Sequence, residues 1–337
     1  MATEFNPKSF IQSLQPCVQA LPEAERLGRM LATRIDRIYF VSCGAPNRIM
    51  LGLQYWIEHF SASLEVRRYF PAEFMQAEPP RLDERTLVIL ASKSGTTRES
   101  VEAAQYFTTR PCITVGVTQD ADLPLARHVQ HSLLMGHTND AYFACFMLLQ
   151  ALIGAILAER DHWPLQDKLM ASLAVLPDVL AQAAVDTEQR GAVEARHYKD
   201  DRVLYALGSG PMFTAAYVLG VCILAESQWM HVLPVEAAEF FHGPFESIDE
   251  TTPIMLFLGE DPSRPQMERA LAFCRRYSER LMVYDSKDFP MPGIATEIRP
   301  LVAPYVIGLA SERMAAHLAV WHKQPLTQRR YMWKTEY

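Results

Sequence analysis

Apolar residues follow two rhythms along this chain, and the alternation between them predicts the elements. Residues 37–42 (RIYFVS), 87–91 (LVILA) and 112–117 are short runs rich in apolar and β-branched side chains, and 64–69 reads as a further strand. Runs of that length without polar interruption are what strands buried on both faces require. Helical spacing occupies residues 7–35, 48–60 and the stretch that follows the turn at 92–97, as far as about residue 107. Strand, turn with glycine or serine, helix and strand again is the order of parallel βαβ units. Helical blocks follow at residues 140–160 and 165–199, the latter in one or two pieces. The strand pattern then restarts with 202–207 (RVLYAL), the turn Gly208-Ser209-Gly210-Pro211 and an apolar helix to Met230. A strand at 254–258, a helix at 266–277, a strand at 281–284 and a last helix at 306–320 complete the reading.

Aligning RIYFVSCG with RVLYALGSG gives an internal pseudo-repeat: a strand, a glycine-bearing turn and an apolar helix, twice. The predicted architecture is α/β, with two copies of one module, each a parallel sheet flanked by helices. They occupy residues 30–162 and 190–325, after an N-terminal helix over 1–29 and before a tail over 326–337. The tail ends in RRYMWKTEY. That is too aromatic for a solvated segment, so it is expected to pack.

Composition narrows the function classes. Hydrophobic residues make up 49% of the 337 and charged residues 21%, enough for a sizeable core. The net charge of −7 leaves no basic surplus for general nucleic-acid binding. Two stretches without charge approach membrane-span length, 141–158 and 203–225. Gln150 and Gly154 in the first, and the Gly-Ser-Gly-Pro turn in the second, point to burial in the core or at a subunit contact rather than in lipid. The first residues, MATEFNPKSF, contain no apolar leader, which points to the cytoplasm. The six cysteines are scattered, with no C-x-x-C pair and no neighbouring histidine cluster; they read as reduced, buried thiols rather than a disulfide frame or a zinc site.

The sharpest local signal is Ser92-Lys93-Ser94-Gly95-Thr96-Thr97, between a buried strand and a helix start. The first N–H groups of a helix have no intrahelical acceptors, and its dipole favours an anion there. Gly95 lets the backbone approach such an anion, and four hydroxyls surround it. An ordinary N-cap would also use Ser or Thr; four hydroxyls about one glycine favour phosphate. The Gly-Lys-Ser/Thr ending of a P-loop is missing, and neither strand is followed by G-x-G-x-x-G, so neither nucleotide hydrolysis nor NAD binding is indicated.

Two further positions carry candidate acid–base chemistry. Glu226 is the first charged residue after Arg202, near the end of a strongly apolar helix. Desolvation there raises a carboxyl pKa and suits it to proton transfer near neutrality; a solvent-facing helix-terminal glutamate is the alternative. His242 lies in Glu239-Phe240-Phe241-His242-Gly243-Pro244-Phe245-Glu246, with Glu236, Glu239 and Glu246 nearby. From residue types alone an acid–base role and a structural one weigh equally.

S-x-S-G-x-T after an apolar strand resembles the phosphosugar loop of the SIS family, which includes the isomerase half of glucosamine-6-phosphate synthase. By that resemblance the fold is two flavodoxin-like SIS domains. Ser92, Ser94, Gly95 and Thr97 would hold a sugar 6-phosphate, with one site per chain, because residues 259–264 (GEDPSR) lack the hydroxyl cluster. E-S-x-W-x-H followed by EFFHGPFE is similar to the catalytic region of the SIS aldose–ketose enzymes. Glu226 falls on the glutamate that moves a proton between C1 and C2. His242 falls on the ring-opening histidine, which the neighbouring subunit of a homodimer contributes. Position 238 is Ala where that motif has Gly. Ile223 stands where the synthase carries Lys, which argues against the synthase reaction, and Ala45-Pro46 replace a serine of the relatives.

DRIYFVSCG, EFFHGPFE and RRYMWKTEY together resemble the fructosamine-6-phosphate deglycase branch over nearly the whole chain after residue 30. The resemblance implies cleavage of a 6-phosphorylated sugar–amino acid adduct to glucose 6-phosphate and a free amino acid. The adduct's linkage, C1 or C2, and its amino acid stay open. Gly44, Ser209, Lys334 and Tyr337 are further expected substrate contacts, and the tail from Arg329 either closes over the site or packs at a dimer contact. The implied reaction needs no metal or redox cofactor, because the substrate nitrogen supplies the electron sink. The partner is thus a small phosphosugar adduct, not nucleic acid or membrane. Two competing readings are a plain aldose–ketose isomerase using the same Glu and His, and a non-catalytic phosphosugar sensor. For the sensor, the first ~30 residues are too few for a DNA-binding domain.

Overall fold

A computed structural model describes residues 5–336. The chain divides into two compact units: residues 8–177 with 293–298, and residues 5–7 with 178–292 and 299–336.

The first unit opens with helix α1 (Pro7–Ala32) and continues β1 (Arg37–Val41), α2 (Gly44–Phe60), β2 (Glu65–Tyr69), α3 (Pro71–Ala77), β3 (Thr86–Ala91), α4 (Arg98–Phe107), β4 (Ile113–Thr118), α5 (Pro124–Arg127), β5 (His131–Leu134) and α6 (Ala141–Asp161). Its five strands are all parallel, in the order β2-β1-β3-β4-β5. This is the flavodoxin-like order, with its switch point between β1 and β3. Every residue of β1, β3 and β4 is buried, as their unbroken apolar runs require. Tyr39, Phe74 and Phe107 pack beneath one face. Helix α6 is buried on all sides from Phe143 to Leu157, and Gly28 of α1 lies so close to it that a Cβ would stand 2.4 Å from the Leu152 carbonyl oxygen. Helices α6 and α7 (Gln166–Tyr198) are long and apolar enough to cross a membrane by length and composition; 89% of the relevant window of α6 is buried within the protein.

The division between units falls at Pro177, inside α7. The second unit then runs β6 (Val203–Gly208), α8 (Met212–Tyr217), a π-helical continuation over Val218–Gln228, β7 (His231–Glu236), β8 (Ile254–Leu258), α9 (Arg264–Tyr277), β9 (Leu281–Asp285) and α10 (Arg299–Trp321). Its four strands are parallel in the order β7-β6-β8-β9, so β6, β7 and β8 repeat the arrangement of β1, β2 and β3. The fold is therefore the expected α/β pair of parallel sheets.

Residues 203–225 form β6, a turn and the start of a helix, as the pattern predicts. The differences from expectation are local. Helix α2 begins at Gly44 rather than 48, because Pro46 sits in the first turn, where its missing N–H costs nothing. Strands β5 and β7 and helices α3 and α5 were not foreseen. Strand β7 contains Pro234 and lies at a sheet edge, the place where a strand tolerates proline.

Candidate functional site

In the first unit, β3 delivers Ser92 to the carboxyl end of the sheet beside the switch point. The Ser92 N–H is tied to the Val117 carbonyl at 3.0 Å, which pins the start of the turn to β4. Ser92 is buried, and its Oγ lies 2.9 Å from Thr97 Oγ1 and accepts the Gly95 N–H at 3.1 Å. Ser94 Oγ accepts from the Thr96 hydroxyl at 2.9 Å, and Ser94, Thr96 and Thr97 are exposed. Gly95 has φ of +61°, and a Cβ there would meet Leu123 Cβ at 2.6 Å and Thr118 Oγ1 at 2.8 Å. Thr97 starts α4 without a side-chain cap bond, so the first-turn N–H groups stay open to an external acceptor. Ser92, Ser94, Gly95 and Thr97 are thus brought together, at a helix start able to hold an anion.

Gly44, with φ of +62°, begins α2 after β1 and has open space where a Cβ would stand. Its turn is held by buried Asn47, which donates to the carbonyls of Ser42 at 2.8 Å and Tyr69 at 3.0 Å and accepts from Arg68.

In the second unit, Glu226 projects from the π-helical segment, a geometry frequent at functional sites. The segment ends at Trp229, which takes a left-handed φ of 55°. The Glu226 side chain is 28% exposed and pairs with Arg329 at 3.0 Å. Burial pushes its carboxyl above the usual glutamate range, and the Arg329 guanidinium opposes that shift without cancelling it. A cavity of about 780 Å³ opens here, lined by Glu226, Trp229, Arg202, Arg329, Arg330 and His231 among others. The tail meets this cavity through Arg329 and Arg330, the latter over the Trp229 ring at 4.0 Å, while its aromatic Tyr331 and Trp333 are exposed, so its aromatic composition is not what seats it. The sequence reading missed the Arg329–Glu226 pair; no local pattern signals a contact between residues so far apart in the chain.

His242 sits in an irregular turn after β7, and its backbone N–H donates to the Glu239 carbonyl at 2.9 Å. The flanking aromatics do not enclose it. Phe240 is fully buried and Phe241 and Phe245 pack with it against Phe273, anchoring the turn while the imidazole stays exposed. Gly243, at φ of +137°, reverses the chain before Pro244. Among the described residues no hydrogen bond or ion pair joins His242 to Glu226.

Ser209, at the end of β6, donates to Glu236 at 2.8 Å and lies 3.1 Å from Gln266 Oε1. Lys334 is exposed, with its ammonium on the Arg329 carbonyl at 2.6 Å. Tyr337 lies outside the described residues. No group of three or more His, Cys, Asp or Glu side chains among the described residues is placed to hold a metal ion.

A doubly wound parallel sheet with a hydroxyl-rich turn suited to an anion at its switch point, repeated without that turn in a second unit, defines a two-unit α/β class of protein. The SIS domain profile matches residues 31–157, and the chain belongs to the SIS domain family. Within that family it is 32% identical to fructosamine deglycase FrlB of Bacillus subtilis strain 168, over 90% of this chain and 93% of the relative. It is also 34% identical to the agropine synthesis conjugase of Rhizobium rhizogenes, over 87% and 84%. A solved structure from Bacillus subtilis, 31% identical, superposes with a TM-score of 0.86 over 95% of this chain and 99% of the other.

Proposed function

We propose that the chain is a deglycase that splits a 6-phosphorylated sugar–amino acid adduct into glucose 6-phosphate and the free amino acid. The observation that carries this reading is Glu226, a carboxyl lifted by burial and set in a cavity, in a chain that is similar over nearly its full length to a fructosamine deglycase. A carboxyl above its ordinary range accepts and returns a proton near neutrality without a large driving-force penalty in either direction.

The chemistry follows for a C1-linked adduct. The hydroxyl turn at Ser92–Thr97 takes the 6-phosphate, so binding energy remote from the reacting carbons orients them. His242, supplied by a second copy of the chain in a homodimer, assists ring opening. Glu226 removes a proton from C1, the C1–C2 double bond of an enaminol forms, and the same carboxyl returns the proton to C2. The product is an imine between C1 and nitrogen. Water adds to it, and the C–N bond breaks to give the aldehyde of glucose 6-phosphate and the amine. The reaction places the protein in the cytoplasm, where sugar phosphates are held.

The relative named a conjugase supports a second reading, in which the same imine step joins a sugar and an amino acid. One experiment separates these readings from a plain isomerase. Purified protein is incubated with 6-phosphofructosyl-lysine, 6-phosphofructosyl-asparagine and a C2-linked glucosyl-lysine 6-phosphate, and glucose 6-phosphate is followed with a coupled dehydrogenase. Release that disappears in both Glu226→Ala and His242→Ala supports the deglycase. No release from any of the three, with interconversion of fructose and glucose 6-phosphates instead, overturns it.

A further inference from the structure

The cavity beside Glu226 carries more positive charge than proton transfer requires. Arg202, Arg329 and Arg330 line it with His231, against the single carboxylate of Glu226, in a chain whose net charge is −7. Such a local surplus calls for an anion.

Its hydrogen-bond inventory calls for the same thing. Arg329 is only 15% exposed. One terminal nitrogen donates to the carbonyls of Leu326 and Gln328 at 2.8 Å each, and the other pairs with Glu226 at 3.0 Å. Its Nε–H is buried without an acceptor, and so is the indole N–H of Trp229, another cavity-lining residue. A buried donor left unpaired costs about 1–3 kcal/mol, so two on residues that line one cavity favour an acceptor placed between them.

We propose that this cavity is a carboxylate subsite, in which Arg329, assisted by Arg330 and the Trp229 indole, receives the carboxylate of the substrate's amino-acid moiety. The proposal rests on the deglycase reading: the nitrogen substituent is attached to one of the two carbons between which Glu226 moves its proton. In an adduct formed through the α-amino group, the amino acid's carboxylate is therefore only a few bonds from those carbons, whereas the phosphate is at the far end of the sugar. A planar guanidinium suits a carboxylate, which it can hold through two parallel hydrogen bonds. An incoming carboxylate also competes with Glu226 for Arg329, which frees the Glu226 carboxylate to act as a base as substrate arrives. The C-terminal tail then selects amino-acid adducts over those of simple amines.

The test needs a binding readout independent of turnover. Two probes are prepared by borohydride reduction of 6-phosphofructosyl-glycine and 6-phosphofructosyl-methylamine; they differ only in the carboxylate. Titration calorimetry gives the affinity of each for wild type, Arg329→Gln and Arg330→Gln. A charge-assisted hydrogen bond to the carboxylate predicts that wild type prefers the glycine probe by about 10- to 100-fold. Arg329→Gln reduces that preference to about threefold or less, by weakening the glycine probe more than the methylamine probe; Arg330→Gln reduces it partially. Equal affinity of wild type for the two probes overturns the proposal. So does an equal loss for both probes in Arg329→Gln, which would mean that the arginine only pins the tail or meets the phosphate. Retained carboxylate preference without turnover of the unreduced adducts would leave the subsite standing and sink the deglycase reading alone.

Discussion

The two glycines at the strand-to-helix turns of the first unit have nearly the same φ, and that permits a clean test of the proposed phosphate turn. Gly44 has φ of +62° and Gly95 has φ of +61°. An alanine at either position meets the left-handed penalty, about 1–2 kcal/mol, partly offset by about 0.4–1 kcal/mol from a stiffer unfolded chain. At Gly44 nothing lies within 4 Å of the added Cβ, so the net cost is about 1 kcal/mol. At Gly95 the Cβ would stand 2.6 Å from Leu123 Cβ, 2.8 Å from Thr118 Oγ1 and 3.1 Å from Leu123 Cδ1. None of the nearest atoms is the far end of a long flexible chain, so the turn must move, which adds about 1–3 kcal/mol. Gly95→Ala is therefore expected to cost about 2–4 kcal/mol in urea denaturation against about 1 for Gly44→Ala, with unchanged m-values. Both residues lie in one unit, so a single transition reports both. Because the movement displaces the hydroxyl cluster, Gly95→Ala also weakens glucose 6-phosphate binding about tenfold or more by calorimetry. If Gly95→Ala is no more destabilising than Gly44→Ala, the close approach that defines the turn is refuted.

Three further predictions follow from the same geometry. Glu226→Gln lowers kcat by about 10²- to 10⁴-fold with KM little changed; a raised KM at constant kcat would show that Glu226 binds rather than transfers a proton. Since burial holds the Glu226 carboxyl above its ordinary range while Arg329 opposes the shift, wild-type kcat/KM falls with decreasing pH at a value above the ~4.3 of a free glutamate. Arg329→Gln removes the opposing charge and moves that acid limb to higher pH, and an unmoved or lowered limb counts against the ion pair. Asn47→Ala leaves the Ser42 and Tyr69 carbonyls and the Arg68 guanidinium short of a partner, at a cost of about 2–4 kcal/mol by denaturation. A cost below about 1 kcal/mol would mean that water replaces the amide.

What was legible in the sequence depended on how each element meets its surroundings. Strands β1, β3 and β4 could be read because both faces are covered, which leaves no room for polar positions. Strand β7 (HVLPVE) lies at an edge, carries Pro234 and is exposed or half-buried at every position but Val235, so it has no such signature. The hydroxyl turn was legible because its chemistry is local to six consecutive residues. The cationic cavity was not, because Arg202, Glu226 and Arg329 come from three distant segments that only the folded second unit assembles. The apolar helix before Glu226 announced a desolvated carboxyl, but not the guanidinium that moderates it.

The repeat also explains why one chain is expected to hold one phosphate. The turn after β6 ends the strand that corresponds to β1, and like the phosphate turn it offers a hydroxyl and free backbone donors at a helix start. Those donors are already used. The Glu236 carboxylate, delivered by β7, accepts from Ser209 Oγ at 2.8 Å, from the Ala238 N–H at 3.2 Å and from the Gly210 N–H. Asp261, after β8, is close enough to push the Glu236 carboxyl upward as a second negative neighbour, behind the larger effect of burial. An internal anion thus fills the place that an external one would take, and a further carboxylate repels any competitor. Where the first unit presents Ser92, Ser94 and Thr97 at the end of β3, the second presents Glu260, Asp261 and Ser263. Calorimetric titration with glucose 6-phosphate should therefore give one site per chain, abolished by Ser92→Ala combined with Thr97→Ala. Two sites of comparable affinity would show that Glu236 yields to phosphate, and the asymmetry between the halves would then lie in their reacting groups rather than in their anion turns.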